Sequence, residues 1–225
     1  MTSAIIVAAG RGTRMGPDID KLFLEVAGLP VIAHTWAAFE AAPCIDEIVL
    51  VVRAGMEESL REIGARLGVK KSHRFALGGV ERQDSVSNGL AALAAATDIT
   101  AIHDGARPCA SQQLILETVQ AARDFGAAVA AQRITDTIKE SADGATISRT
   151  VDRSRLWSVQ TPQAFRVSVI RRAIAAAHER GLKLTDDTAA CELIGQPVRL
   201  VESKQPNPKV TVPADLPFIE SLLRK

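Results

Sequence analysis

Two apolar runs, AIIVAA at residues 4–9 and EIVLVV at Glu47–Val52, constrain this chain more than any other feature. A strand with one wet face alternates apolar and polar side chains. A run that stays apolar at successive positions reads as a strand covered on both faces. Amphipathic segments follow each run. Residues 30–42 place Ile32, Trp36 and Phe39 on one helical face. Residues 57–67 align Leu60, Ile63 and Leu67, and the pairs Glu57–Arg61 and Glu62–Arg66 add support on the outer face. The rhythm continues with strands over 74–76, 99–103, 127–132 and 198–203, and helices over 82–96, 111–125, 167–180, 186–194 and 213–223. Repeated strand–helix units predict an α/β fold with a Rossmann-like, mainly parallel sheet and helices on both faces. Ligands of such sheets bind beyond the carboxyl ends of the strands.

Between residues 136 and 157 the rhythm breaks. The stretch DTIKESADGATISRTVDRSRLW has few long apolar residues and carries Asp143-Gly144, a hairpin signal. It reads as an extended arm, about 136–158, projecting from a body that otherwise spans residues 1–225 as one domain. No apolar run approaches the roughly 20 residues that cross a bilayer. The first residues run directly into a strand pattern without the basic start of a signal peptide. Twenty-seven basic against 26 acidic residues leave no field for nucleic acid. Cys44, Cys109 and Cys191 lack both metal-ligand and disulfide spacing, so a reducing cytoplasm and a packing role are expected.

The chemistry starts where the first strand ends. In AAGRGTRM, residues 8–15, Gly10 and Gly12 are interleaved with Arg11 and Arg14, and Lys21 follows. A Walker loop, which needs Gly-Lys-Ser/Thr after four residues, is absent. A dinucleotide loop needs two residues before its last glycine, and this chain has three before Gly16. That pattern also needs an acidic residue after the second strand, where Arg53 stands. A triphosphate loop of the nucleotidyltransferase kind remains, with backbone N–H groups cradling phosphate and Arg14 and Lys21 supplying charge near a leaving pyrophosphate. A plain strand–helix turn with solvated cations is the simpler alternative.

A second cluster, HDGARP at residues 103–108, follows the strand over 99–103. Asp104 at that strand end is a candidate ligand for Mg²⁺, Gly105 permits close backbone approach, and Arg107 is suited to a phosphate or to an internal carboxylate. An aspartate opening a turn before Pro108 is the competing reading. In GGVERQDSV, residues 78–86, Gly79 and Ser85 fit a small base pocket or merely a helix cap. His103 reads as a packed strand residue, and His34, His73 and His178 lie outside every motif.

AAGRGTRM with Lys21, GGVERQDSV, HDGARP, TVDRSRLWSVQTPQAF and TDDTAACE, in this order, resemble the 2-C-methyl-D-erythritol 4-phosphate cytidylyltransferases over essentially the whole chain. The resemblance implies CTP and a polyol phosphate as substrates, Mg²⁺ at Asp104, no organic cofactor, and a cytoplasmic enzyme that engages neither nucleic acid nor membrane. It implies that Arg14, Lys21, Asp104 and Lys209 are catalytic. Ala8, Ala9, Gly10, Gly12, Gly79, Ser85 and Gly105 then surround the nucleotide. Arg107, Thr137, Arg153, Thr161, Thr185 and Asp186 fall on the acceptor side. Arg153 would reach from the arm into a partner's site, so that the arm also builds a homodimer. The chain departs from the family pattern in three places: Asp20 stands where proline is usual, Val80 where an acidic residue is frequent, and the stretch 204–208 before Lys209 lacks the acidic residue the family often has there and carries Pro206 and Pro208. Two alternatives share the motifs, a ribitol-5-phosphate cytidylyltransferase and a non-catalytic nucleotide-binding module.

Overall fold

The computed structural model describes residues 1–10 and 20–224. In chain order the strands and helices are β1 (Thr2–Val7), β2 (Glu25–Val26), β3 (Leu29–Pro30), α1 (Val31–Ala41), β4 (Glu47–Val52), α2 (Glu57–Leu67), β5 (Ser72–Leu77), α3 (Arg82–Ala91), β6 (Ile99–Asp104), α4 (Gln112–Phe125), β7 (Ala127–Arg133), β8 (Lys139–Glu140), β9 (Arg149–Thr150), β10 (Trp157–Arg166), α5 (Val167–Glu179), α6 (Asp187–Leu193), β11 (Arg199–Glu202) and α7 (Leu216–Leu223). Among the described residues seven strands form one sheet, ordered β11-β7-β10-β6-β1-β4-β5. Its pairs are parallel except those of β10, which runs antiparallel to both β6 and β7.

The two apolar runs are explained by the two faces. Ala4, Ile6, Ile48 and Leu50 point into a core beneath α1, α2, α4 and α7 that also holds Trp36 and Phe39. Ile5, Val49 and Val51 point the other way, against Phe165 and Ile170 under α3, α5 and α6. Alternate residues of one strand thus fill opposite cores, so every position is apolar. Fully burying a side chain of this size contributes roughly 1.5–3 kcal/mol, which commits β1 and β4 to the middle of the sheet. No helix of the described residues is long and apolar enough to cross a membrane.

The sequence expectations match most elements but run one helix too far and omit β2, β3 and β10. The helix expected over 82–96 stops at Ala91. The strand β10 was not expected at all, and it begins at Trp157, inside the expected arm. Pro162 lies where the pairing of β10 with β7 shifts register, between Val159 and Gln163, which is where a sheet tolerates proline. The arm itself is a short hairpin of β8 with β9. At its tip the Asp143 carboxylate accepts N–H bonds from Ala145 (2.9 Å) and Thr146 (2.7 Å), and Gly144 takes φ +74°.

Candidate active site

The carboxyl ends of β1, β4 and β6 open into a cleft of about 1020 Å³. Ala8, Ala9 and Gly10 leave β1 along its wall, and the Ala8 N–H is donated to the Val51 carbonyl at 2.7 Å. The facing wall is the turn from β5 to α3. A Cβ on Gly78 would lie 2.2 Å from the Cβ of Ala9, so the two walls meet only because residue 78 has no side chain. Gly79 donates its N–H to Ser85 Oγ (3.0 Å), which donates in turn to the Glu81 carbonyl (3.2 Å). Ser85 thus braces the turn that carries Gly79. Both residues line the cleft.

Asp104 ends β6 in the same cleft, with its side chain only 12% exposed. Lys209 Nζ donates to its Oδ2 at 2.7 Å. Arg107 Nε stands 3.6 Å from Oδ2 and Arg82 Nε 3.7 Å from Oδ1. Burial by itself would raise this carboxyl. Lys209, Arg82 and Arg107 outweigh it and hold Asp104 well below the usual carboxylate range. The group is therefore ionised at neutral pH.

A hydrogen-bonded chain fixes the backbone of Asp104. Its N–H is donated to Thr161 Oγ1 (3.0 Å), and Thr161 Oγ1 shares a hydrogen bond with His103 Nδ1 (3.1 Å). His103 Nε2 lies 2.9 Å from the Arg107 carbonyl. A carbonyl only accepts, so the proton sits on Nε2 and Nδ1 accepts from the threonine, an assignment made from the partners. Burial drives the His103 imidazole down to about 4, which agrees with this neutral tautomer. His103 is fully buried and packs on the Phe39 ring at 4.8 Å, as the packed-residue reading expects.

The two lysines meet in the cleft, Lys21 from the stretch before β2 and Lys209 from the segment after β11. Lys21 Nζ donates to the Val210 carbonyl at 2.8 Å, next to Lys209. Asn207 pins this segment to β10, donating to the Thr161 carbonyl (2.8 Å) and to Gln160 Oε1 (3.2 Å). Its carbonyl accepts from Arg107 (2.8 Å). Pro206 and Pro208 therefore flank an anchored asparagine, and Lys209 is delivered onto Asp104. Asp20, where proline is usual, pairs with Arg53 and accepts the Leu22 N–H at 3.1 Å.

Several expected residues lie elsewhere. Gly12 and Arg14 are outside the described residues. Gly105 packs behind the cleft, where a Cβ would lie 2.9 Å from Ile32. Arg107 is clamped between Asp104 and Asn207, the internal-carboxylate option. Thr161 is buried and faces the backbone of Asp104. Asp186 caps α6, accepting from Ala189 N (3.0 Å), Gln163 (2.9 Å) and Thr188 (2.7 Å). Thr185 beside it is exposed. Thr137 and Arg153 are exposed on the arm side and do not line the cleft. Arg153 is tied to the Thr135 carbonyl. Burial pushes the thiol of Cys109 up to about 11 and that of Cys191 up to about 12, as packed rather than reactive cysteines require.

Sequence reasoning did not single out Arg82, Asp187 or Asn207. Arg82 and Asp187 stood inside quoted motifs, and Asn207 between two prolines. Their signal was a charged or amide residue at a turn, which is too common to act on.

A mainly parallel sheet that presents glycine turns, two lysines and the ionised Asp104 at its carboxyl end defines a phosphate-handling α/β protein of the nucleotidyltransferase kind. The family model for 2-C-methyl-D-erythritol 4-phosphate cytidylyltransferase (IspD) matches residues 2–225. The proteins of that name from Geobacillus kaustophilus and Pelotomaculum thermopropionicum are 46% and 44% identical to this chain, over 98% and 99% of it and 96% and 94% of their own lengths. A solved 4-diphosphocytidyl-2C-methyl-D-erythritol synthase from Anaerococcus prevotii superposes with a TM-score of 0.87 at 32% identity, covering 100% of this chain and 96% of that one. The chain belongs to the 2-C-methyl-D-erythritol 4-phosphate cytidylyltransferase family.

Proposed function

We propose that this protein transfers CMP from CTP to 2-C-methyl-D-erythritol 4-phosphate, giving 4-diphosphocytidyl-2-C-methyl-D-erythritol and pyrophosphate, a step of isoprenoid precursor synthesis. One observation carries the reading beyond family membership: Asp104, Lys209 and Lys21 converge in a single cleft beside the Ala8–Gly10 turn. The acceptor's phosphate oxygen attacks the α-phosphorus. A new P–O bond forms to the acceptor, the bond to the β-phosphoryl oxygen breaks, and pyrophosphate leaves with the electron pair. The nucleophile carries no proton, so no general base is needed, in keeping with a neutral, buried His103. Lys21 and Lys209, with Arg14 from the first loop, neutralise the charge that builds on the phosphoryl oxygens. Residues 1–225 act here as one nucleotidyltransferase domain.

Asp104 is the residue that would hold Mg²⁺. Magnesium is often bound by one or two carboxylates together with substrate phosphates and water. The donor set fits that mode: Asp104 is ionised and faces the cleft, and the described residues contain no group of three or more His, Cys, Asp or Glu able to form a cage. Once bound, such an ion would neutralise triphosphate charge. Asp104 would then release Lys209 toward substrate oxygens.

In this reading the protein works as a cytoplasmic homodimer, each arm serving the other copy's acceptor site, a role for which Thr137 and Arg153 must lie exposed outside their own chain's cleft, as they do. Two experiments test these readings. Pyrophosphate release should require CTP over the other triphosphates, a divalent cation, and 2-C-methyl-D-erythritol 4-phosphate; preference for ribitol 5-phosphate would redirect the assignment. Arg153→Ala should raise the acceptor KM. Mixing it with Lys21→Ala should restore roughly a quarter of wild-type activity, because half the dimers would hold one intact composite site. Failure to complement would place Arg153 in its own chain's site.

A further inference from the structure

Arg82 is the first residue of α3, where the positive end of the helix dipole disfavours a cation. Its side chain nevertheless lines the cleft, 29% exposed. One N–H is donated to Asp187 Oδ1 at 2.9 Å, and Nε stands 3.7 Å from Asp104 Oδ1, beyond hydrogen-bond distance. Asp187 is itself buried at the start of α6. Its backbone N–H is donated to Gln163 Oε1 (3.1 Å), and its Oδ2 is buried without a hydrogen-bond partner. A planar guanidinium offers five N–H donors in a fixed fork. Here one of them is anchored to a buried carboxylate, a second acceptor on that carboxylate stays open, and the rest of the fork faces the cleft beside Asp104.

We infer that Arg82, held by Asp187, is a further substrate-binding residue of the transfer reaction, donating to a phosphoryl oxygen brought to the Asp104 end of the cleft. The inference rests on the cytidylyl-transfer reading of this site. Asp187 is a positioning residue that acts through Arg82. A guanidinium anchored at one edge and open at the other suits a phosphate oxygen without reorienting, which a flexible lysine would not match.

The test measures CTP affinity by calorimetry without acceptor, and the acceptor KM by pyrophosphate release, with thermal melting as the check on folding. Arg82→Gln should weaken one of these by about 10- to 100-fold, the worth of a charge-assisted hydrogen bond. A loss confined to CTP assigns the contact to the triphosphate, and a loss confined to acceptor KM assigns it to the acceptor's phosphate. Asp187→Asn should weaken the same quantity about 3- to 10-fold, and that effect should vanish in the Arg82→Gln background. An Asp187→Asn effect that persists there would overturn the tether. Arg82→Lys should show an intermediate loss, and it stands in if Arg82→Gln does not fold. Affinity and KM both within twofold of wild type would overturn the contact while leaving the cytidylyltransferase reading intact. A wild-type protein that neither binds CTP nor releases pyrophosphate would instead overturn that reading.

Discussion

Glu47 and Asp104 are both carboxylates buried at strand ends, one at each end of the sheet. Glu47 starts β4 and is fully buried. Its Oε2 accepts from Ser3 Oγ (2.9 Å) and Ala94 N (3.2 Å), and Arg74 Nε lies 2.9 Å from Oε1. Asp104 ends β6 among three cations, of which only Lys209 is in hydrogen-bond contact. One carboxylate is held on one oxygen by hydrogen bonds and on the other by the Arg74 ion pair, away from the cleft. The other is surrounded by excess positive charge held just out of range and open to a cleft. The contrast separates a group that holds the fold from a group arranged to exchange partners.

The largest effect expected from that contrast is kinetic. Lys21→Ala and Asp104→Asn should each lower kcat by at least about 10²–10³, the usual cost of losing one preorganised charge-stabilising group. A near-normal turnover in steady-state assays would break the assignment. Glu47→Gln should leave turnover per folded molecule unchanged but cost about 2 kcal/mol of stability in urea titration. Equal stability losses in Glu47→Gln and Asp104→Asn would erase the difference between the two ends. A smaller effect concerns pH. The folded-state pKa of His103, about 4, lies below the ordinary value of 6.5. Between those values the unfolded chain binds the extra proton, so stability falls as pH falls, by about 1–2 kcal/mol at pH 5. Urea titrations in metal-free buffer should show this slope, and His103→Gln should flatten it. The smallest effect lies on the outer surface: Glu58→Gln, which removes the exposed partner of Arg61, should change stability by less than about 0.5 kcal/mol.

The last pair also shows what the sequence could not convey. The spacing predicted Glu57 with Arg61, yet Arg61 bonds Glu58 (3.1 Å) and Glu57 turns to the Gly55 N–H (2.9 Å). Exposed charges choose among near-equal partners, and spacing does not decide between them. The buried runs were legible because two packed faces demand apolar side chains at every position. β10 was not, because Gln160, Thr161 and Gln163 are buried there through hydrogen bonds to Gln132, His103, Asp186 and Asn207 rather than through apolar packing. The register shift between Val159 and Gln163 also breaks any period-two pattern, leaving Trp157, Val159, Ala164 and Phe165 as scattered apolar positions. The cleft-facing Asp104 was legible from HDGARP at a strand end, whereas Lys209 came only through the family resemblance. The tether of Arg82 by Asp187 joins residues 105 positions apart, and only folding brings them together.

The placement of β10 makes the arm's root and its tip unequal in how much change they tolerate. Thr161 is held on the Asp104 amide and by Asn207, so one residue added between Trp157 and Thr161 would have to fit within the existing register shift or pull the threonine hydroxyl off that amide. One residue added beside Gly144 would lengthen an exposed loop and reach nothing else. Variation in length therefore belongs at the outermost end of the arm, while the stretch that joins it to the sheet must keep its residue count.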